Sequence, residues 1–136
     1  MSQENLSVLA QMNEAFNAAI NADGWENLIP FLDPDFEFHE PPEQPGATVF
    51  RGPEAASKGW ARWAEAWTEQ RSELKDVHEL GDGRVLVANR NRLLGRNGIR
   101  VEQDSWNVFT FRDGKVLRWE SYWDRANALE AAGLSE

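Results

Sequence analysis

Polar and apolar residues alternate along the last third of the chain as they do in β-strands. Between residues 99 and 124 two β-rich runs flank the pair Asp113-Gly114, which is typical of a tight hairpin turn. One alternating set in the first run has apolar ends and an uncharged polar centre: Ile99, Val101, Gln103, Ser105, Asn107, Phe109 and Phe111. Alternate strand residues share a face, and buried polar groups need partners. The set therefore predicts an inward face that lines a cavity.

The remaining periodicities predict helices followed by strands. The predicted helices span residues 2–22, 25–32, 53–69 and 125–132, and the predicted strands outside the hairpin span residues 35–40, 71–80 and 84–94. Turn signals separate them, including Asn21 to Gly24 before the second helix and Asn97-Gly98 before the hairpin. This order predicts an α+β class, with one domain over residues 1–136 that packs helices on one face of a curved antiparallel sheet.

Composition narrows the classes of partner. The net charge of −9 argues against a nucleic-acid partner and against anionic membrane surfaces, because both are bound through Lys and Arg. The chain has no cysteine, no apolar run long enough to span a membrane and no signal-peptide pattern. We therefore expect a cytoplasmic protein without disulfides, thiol chemistry or a cysteine-zinc site.

Aromatic residues are abundant, with seven Trp and seven Phe. Large aromatic side chains build cores, interfaces and apolar ligand pockets alike. Trp60, Trp63 and Trp67 are spaced by three and four residues, so a helix would place them on one face. We interpret this stripe as core packing rather than as a ligand platform.

Several segments carry a family resemblance over nearly the whole chain. They are the end of the first helix at residues 21–24, the strand entry at 32–38, Phe50-Arg51-Gly52 before a helix, and the closing hairpin at 111–116. The chain resembles the NTF2-like superfamily, and within it the SnoaL-like, polyketide cyclase-like branch. The resemblance implies a cone-shaped, cystatin-like α+β fold with a pocket between helices and concave sheet, and often a homodimer. It says little about activity, because the scaffold hosts isomerases, cyclases, epoxide hydrolases, dehydratases and non-catalytic binders.

Glu40 is the first candidate for chemistry. It ends the short predicted strand, shares a face with Phe36 and Phe38, and precedes Pro41. This position resembles that of the general base of ketosteroid isomerases. Aromatic neighbours would raise the pKa of such a carboxyl by desolvation and suit it to proton transfer near neutral pH. The alternative is a solvent-facing or salt-bridged residue at the end of a strand.

Asn107 is the second candidate. It matches the position where those isomerases carry the protonated acid of an oxyanion hole, and an amide can donate to a developing enolate, though more weakly. Phe16 stands where they place the tyrosine of the same hole, and its lack of a donor argues against a steroid-type isomerase. Asn107 could instead be a polar core residue that is satisfied by its neighbours.

The segment Trp119 to Asp124 resembles a run found in limonene-epoxide-hydrolase-like proteins. Ser121 stands where those enzymes carry a catalytic acid, and a serine cannot protonate an epoxide oxygen as a carboxylic acid would. This departure argues against epoxide hydrolysis. Alternation places Trp119, Ser121 and Trp123 on one face, which we expect to line the pocket.

The two histidines receive different interpretations. His39 shares a face with Glu37 and favours the surface or a dimer interface. His78 alternates with Leu74 and Leu80, so an inward orientation would make it a second pocket base. Arg90 and Arg92 lie on a strand whose facing the sequence leaves open, with an outward orientation favoured. Nothing resembles a metal motif.

Three hypotheses for function remain open. The first is a cofactor-independent enzyme of the cyclase or isomerase type acting on an apolar carbonyl compound, with Glu40 as base and Asn107, with or without His78, as hydrogen-bonding partner. The second is a non-catalytic binder of a hydrophobic small molecule. The expected pocket residues are Phe16, Phe38, Gln103, Ser105, Phe109, Trp119, Ser121 and Trp123. The third is a dimerisation module.

Overall fold

One six-stranded sheet forms the centre of the molecule. The computed structural model describes residues 3–22 and 24–134. Its strands are β1 (Leu32–His39), β2 (Val49–Arg51), β3 (Trp67–Glu79), β4 (Arg84–Gly95), β5 (Arg100–Arg112) and β6 (Lys115–Tyr122), in the order β2-β1-β6-β5-β4-β3. Ser2, predicted to begin the first helix, and Asp23, in the predicted turn, lie outside the described residues.

Helices lie on both faces of the sheet. They are α1 (Gln3–Ala22), a 3-10 helix (Trp25–Phe31), α2 (Pro53–Ala64) and α3 (Arg125–Ala131). The first three cover the inner face, where Leu9, Leu28 and Trp60 join the main core cluster. α3 packs on the opposite face, where Leu129 joins Leu86 and Val108. The predicted α+β class is confirmed, whereas the expectation that all helices share one face is wrong for α3.

The sheet is mixed rather than purely antiparallel. β1 runs parallel to β6, with Phe38 opposite Trp119, and every other neighbouring pair is antiparallel. β2 lies between the predicted strand 35–40 and the predicted helix 53–69, where the sequence predicts no strand, and it pairs with the outer edge of β1. Three residues are too few to show a strand period, which is why this strand leaves no clear sequence signal.

The closing hairpin forms as predicted. Asp113 and Gly114 have φ values of 51° and 78°, so both central turn residues occupy the left-handed region that a two-residue hairpin turn requires. The turn pairs Arg112 with Lys115 and Phe111 with Val116, and a bulge between the Phe111 and Thr110 pairs then shifts the register by one residue. As a result Phe109 lies opposite Trp119, and Asn107 lies opposite Ser121. These four side chains therefore share the inner face.

The predicted third helix is too long. α2 ends at Ala64, and Trp67 already belongs to β3, where it pairs with Gly95 of β4. Aromatic and β-branched residues such as Trp67 and Thr68 favour strands, and pairing with β4 overrides the helical spacing of the tryptophans. Trp67 therefore lies on a different element from Trp60 and Trp63.

A bulge in β3 changes which side chains face inward. The register with β4 shifts between Leu74 and Asp76, leaving one residue unpaired. Before the bulge Leu74 lies opposite the inward Asn89, and after it His78 lies opposite Leu86, which faces outward into the α3 cluster. A one-residue shift moves every later side chain to the other face.

An ion pair joins the hairpin turn to the start of β1. The Arg112 guanidinium donates to Asp33 from Nη2 at 2.6 Å and from Nε at 3.0 Å, and it also donates to Asp35 at 2.8 Å. The Asp33 side chain is only 8% exposed. The hydrogen bonds from Arg112 hold the pKa of Asp33 below its ordinary value. This two-point contact ties the turn to the neighbouring strand.

We expect Asp33→Asn to lower the melting temperature by about 4 °C at pH 7, because the paired carboxylate is lost. A depressed folded-state pKa contributes stability above the unfolded value of about 3.9, and the contribution disappears as pH falls. The gap between wild type and variant should therefore narrow progressively below pH 4. Thermal unfolding from pH 7 to pH 2 measures it, with Asp35→Asn as the control on an exposed carboxylate. A gap independent of pH would contradict the assignment.

Candidate functional site

A cavity of about 400 Å³ lies between the inner face of the sheet and the helices α1 and α2. This volume is in the range of small-molecule sites. The predicted pocket residues Phe16, Phe38, Gln103, Ser105, Phe109, Trp119, Ser121 and Trp123 all line it, as do Glu40 and Asn107.

Aromatic rings form the apolar part of the cavity. Trp119 lies at the centre, with ring centroids 4.8 Å from Phe38, 5.2 Å from Phe109, 5.4 Å from Trp60 and 5.7 Å from Phe16. The contacts with Phe38 and Phe16 are edge-on, an arrangement that suits the ring quadrupoles. The apolar surface of the cavity is therefore built from mutually packed rings.

The tryptophan stripe has a second role that the sequence interpretation missed. Trp60 is 3% exposed and belongs to the core, yet it lines the cavity together with Trp63 and Trp67. The distinction between core packing and ligand surface is not sharp here, because the cavity lies inside the core. Helical spacing alone carries no signal of that placement.

Glu40 begins the loop of residues 40–48 and lines the cavity. Oε1 accepts a hydrogen bond from the Thr48 backbone N–H at 3.1 Å, and Oε2 accepts one from Gln44 Nε2 at 3.1 Å. Each carboxylate oxygen can accept more than one hydrogen bond. The loop therefore holds the carboxylate in place while each oxygen can still accept a further hydrogen bond.

Glu43 anchors the same loop to the outer face of the molecule. Its carboxylate accepts hydrogen bonds from the Trp123 backbone N–H and from Asn127 Nδ2, both at 2.8 Å. Burial alone would raise the pKa of Glu43, but the bonds from Asn127 and Trp123 outweigh it, so the pKa lies below its ordinary value. Asn127 belongs to α3, so a single side chain links the Glu40 loop to that helix.

The cavity lining contains very few ionisable side chains. Among the described residues that line it, Glu40 is the sole ionisable side chain. The rest are apolar, aromatic, amide or hydroxyl groups, and the lining includes neither Lys nor Arg. An anionic ligand would find no countercharge there.

A directed chain of hydrogen bonds crosses the cavity floor, which we define as the inner face of β3, β4 and β5. Trp119 Nε1 donates to Asn107 Oδ1 at 2.8 Å, and Asn107 Nδ2 donates to Asn89 Oδ1 at 3.0 Å. Asn89 Nδ2 then donates to Ser72 Oγ at 3.0 Å. Because an indole N–H can only donate, Trp119 determines which way each amide is turned.

The end of this chain is fixed to α1. The Ser72 backbone N–H donates to Asn17 Oδ1 at 2.7 Å, and the Ser72 carbonyl accepts from Asn17 Nδ2 at 3.0 Å. The Asn13 amide donates to the same carbonyl at 3.0 Å. β3 is an edge strand, so these amides take the place of a neighbouring strand at that residue.

Asn107 is less suited to oxyanion stabilisation than its position suggests. Its two amide hydrogens are directed to Asn89 Oδ1 at 3.0 Å and to Ser105 Oγ at 3.3 Å, and its oxygen is occupied by Trp119. The residue is 4% exposed. The alternative interpretation, a polar residue satisfied by its neighbours, agrees with this geometry.

The other charged candidates lie away from the cavity. The inward orientation considered for His78 is wrong, because the β3 bulge turns the side chain outward, where it is exposed and does not line the cavity. His39 pairs with Glu37 at 2.9 Å. Arg90 and Arg92 face outward, as favoured, and pair with Asp104 and Glu102, both at 3.0 Å.

Several polar lining residues were not predicted, namely Asn13, Gln70, Ser72, Asn89 and Asn91. Asn89 and Asn91 alternate with Arg90 and Arg92, so fixing the outward facing of the arginines would have identified them. Gln70 and Ser72 precede the bulge in β3. In the described part of the chain, no group of three or more His, Cys, Asp or Glu side chains is arranged to hold a metal ion.

Comparison with known proteins identifies the family. The profile of the SnoaL-like domain matches residues 13–119. The chain belongs to the SnoaL-like domain family. No curated protein matches the sequence significantly. Across residues 3–22 and 24–134, no helix is long and apolar enough to cross a membrane.

Solved structures confirm the NTF2-like fold of this SnoaL-like chain. An NTF2-like protein from Anabaena variabilis is 22% identical and covers 90% of this chain and 91% of its own, with a TM-score of 0.76. A putative SnoaL-like polyketide cyclase from Jannaschia sp. is 17% identical over 98% and 94%, with a TM-score of 0.74. SalBIII, an epoxide hydrolase/cyclase-like enzyme of pyran ring formation in salinomycin, is 18% identical over 91% and 93%, with a TM-score of 0.71.

The hydrogen-bond chain makes a prediction about stability. Asn107→Leu leaves Trp119 Nε1 and Asn89 Oδ1 without partners in a buried site, and we expect it to lower the free energy of unfolding by about 2–4 kcal/mol. Urea denaturation measures the loss. Trp119→Phe removes the donor, so the double variant should lose about 1 kcal/mol less than the sum of the two single losses. Additive losses would show that the two side chains are not coupled.

Proposed function

We propose that this SnoaL-like protein binds an uncharged, largely apolar small molecule in the cavity and transfers a proton of an enolisable carbonyl ligand at Glu40, without a cofactor. The observation that carries the proposal is that Glu40 is the sole ionisable side chain among the described lining residues. Proton transfer at neutral pH requires such a group, and the aromatic surroundings suit a ring-containing ligand.

The absence of Lys and Arg from the described lining supports an uncharged ligand, because a buried carboxylate of the ligand would remain unpaired. The loop contacts from Thr48 and Gln44 support a fixed base, since they orient the carboxylate before a ligand enters. SalBIII and the Jannaschia protein, both named for cyclase chemistry, are relatives in fold at 18% and 17% identity. They support a catalytic role only by analogy.

A second candidate is a binder without catalysis. The observation that favours it is the occupied amide of Asn107, whose two hydrogens are already directed to Asn89 and Ser105. The enolate that proton abstraction creates would then lack the donor expected from the sequence. Aromatic packing around Trp119 would still hold a hydrophobic molecule. Both candidate functions predict that the ligand binds, but only the enzyme predicts turnover.

Exchange of α-hydrogens provides the test, with 2-tetralone as an uncharged enolisable probe. In deuterated buffer the protein should accelerate deuterium incorporation, and Glu40→Gln should lower the exchange rate at least about 100-fold, which is the usual contribution of a general base. The glutamine retains an acceptor for the loop, so we expect the affinity for 2-tetralone to change less than about threefold. Proton NMR measures exchange, and quenching of tryptophan fluorescence measures binding.

Glu54→Gln is the matched control, because Glu54 is an exposed carboxylate on α2 that does not line the cavity. Exchange at the wild-type rate in the Glu40→Gln variant would rule out Glu40 as the base. Quenching by 2-tetralone without exchange in the wild-type protein would favour the binder.

We also propose a homodimer, on the resemblance to NTF2-like proteins, with the outer face of the sheet as the contact. That face carries the ion pairs Arg90–Asp104 and Arg92–Glu102. Sedimentation velocity should give about twice the monomer mass, and Arg90→Glu, which places like charges beside Asp104, should shift the protein toward monomer. A monomeric wild-type protein would refute this proposal.

A further inference from the structure

Three side-chain amides in the cavity lining keep hydrogen-bonding groups that the described part of the protein does not use. They are Gln70 on β3, Asn91 on β4 and Gln103 on β5. Within the described residues, the amides of Gln70 and Gln103 make no hydrogen bond. Asn91 makes one, from Nδ2 to Ser105 Oγ at 3.0 Å, and its Oδ1 accepts none. These groups are available to a ligand.

The unused groups belong to one part of the lining. Nearer the centre, Asn89 and Asn107 each use both the oxygen and the nitrogen of the amide in the chain that starts at Trp119. Gln70 differs from them, because it is 6% exposed and its Oε1 is buried without a partner. A buried polar group without a partner costs free energy, so the protein alone does not satisfy this end of the cavity.

Asn91 and Gln103 are close enough to contact one group of a ligand. They lie directly opposite each other on the adjacent antiparallel strands β4 and β5, and both line the cavity. Side chains in this relation have Cβ atoms about 4.5–5.5 Å apart. Among the described residues no hydrogen bond joins the two amides, so a donor and an acceptor remain side by side for a third partner.

A hydroxyl group matches this pair of amides better than other uncharged polar groups. One amide can donate to the hydroxyl oxygen while the carbonyl oxygen of the other accepts the hydroxyl hydrogen. A carbonyl or ether oxygen would use the donors alone and leave the acceptors unpaired. A carboxylate would lack a countercharge, because the described lining contains neither Lys nor Arg.

We propose that Asn91 and Gln103 form a subsite for a hydroxyl group at the end of the ligand remote from its enolisable carbonyl. The inference rests on the proposed function, in which the carbonyl end lies at Glu40. It adds a second polar group that the ligand must carry, and it assigns the residues that select that group. The apolar body of the ligand then lies along the aromatic rings between the two ends.

The separation of the two ends limits the length of the ligand. His39 pairs with Glu120, so Glu40 is level with Ser121, which in turn lies opposite Asn107. Gln103 is four residues from Asn107 along β5, about 14 Å, and β1 is two strand spacings from β5, about 10 Å. The long side chains of Glu40 and Gln103 reduce this backbone separation. A two-ring compound with the carbonyl and the hydroxyl on different rings suits the remaining distance.

The compounds 6-hydroxy-2-tetralone and 2-tetralone test the subsite, because they differ only in the hydroxyl group. Tryptophan fluorescence titration gives their dissociation constants. We expect the wild-type protein to bind 6-hydroxy-2-tetralone about 10-fold more tightly, a ratio typical of two neutral hydrogen bonds. Asn91→Leu and Gln103→Met keep the side-chain shape and remove the amide. Each should reduce the ratio about threefold, and the double variant should bring it near one. A general loss of packing affects both compounds and cancels in the ratio.

Gln11→Met is the matched control, because Gln11 is an exposed amide on α1 that does not line the cavity. This variant should keep the wild-type ratio. A ratio that stays near 10 in the double variant would overturn the subsite. If both compounds bind the wild-type protein equally well, the subsite fails and the proposed function stands. If neither compound binds, the proposed function fails with it.

A second measurement uses the wild-type protein and does not depend on the variants folding. In nitrogen-15-labelled protein, we expect nuclear Overhauser effects between the hydrogens beside the hydroxyl of bound 6-hydroxy-2-tetralone and the side-chain amide hydrogens of Asn91 and Gln103. The hydrogens beside the ketone should instead show them to the side-chain amide of Gln44, which hydrogen-bonds Glu40. The reverse pattern would place the hydroxyl at Glu40 and overturn the proposal.

Discussion

The indole N–H of Trp119 can only donate a hydrogen bond, and the polar order of the cavity depends on this constraint. It turns the oxygen of Asn107 toward the ring, which turns the nitrogen toward Asn89, and so on to the hydroxyl of Ser72. Without a donor-only group at one end, each amide could be reversed at little cost. The same indole is also the centre of the aromatic cluster, so the apolar and polar parts of the cavity are held by one side chain.

Buried amide groups cost free energy unless they form hydrogen bonds, and here the hydrogen bonds extend beyond the cavity to α1. The Asn17 side chain hydrogen-bonds both the N–H and the carbonyl of the Ser72 backbone at the edge of the sheet. The polar chain therefore also holds α1 against β3. Polar residues on an inner strand face therefore serve two purposes in this protein. They hold the helix that covers the cavity, and they fix the orientation of the amides that line it.

Much of the site could be read from the sequence, because the closing hairpin has a strict period and an Asp-Gly turn. The period placed Ser105 and Asn107 on one face of β5, and Trp119 and Ser121 on one face of β6. That both sets share the inner face depends on a bulge between the Phe111 and Thr110 pairs, which the turn does not predict. The errors come from places where tertiary contacts override local pattern. The bulge in β3 turns the His78 side chain to the outer face of the sheet. Pairing with β4 places Trp67 in a strand rather than in the predicted helix. Whether the Asn107 amide is already hydrogen-bonded depends on distances between strands, and the alternation of residues does not give those distances.

Glu43 gives the molecule a mechanical link between its two faces. One carboxylate holds the segment that carries Glu40 to Trp123 and to Asn127 of α3, across the rim of the sheet. Because α3 also follows β6 directly in the chain, Glu43 adds a non-covalent connection between that helix and the segment that carries Glu40.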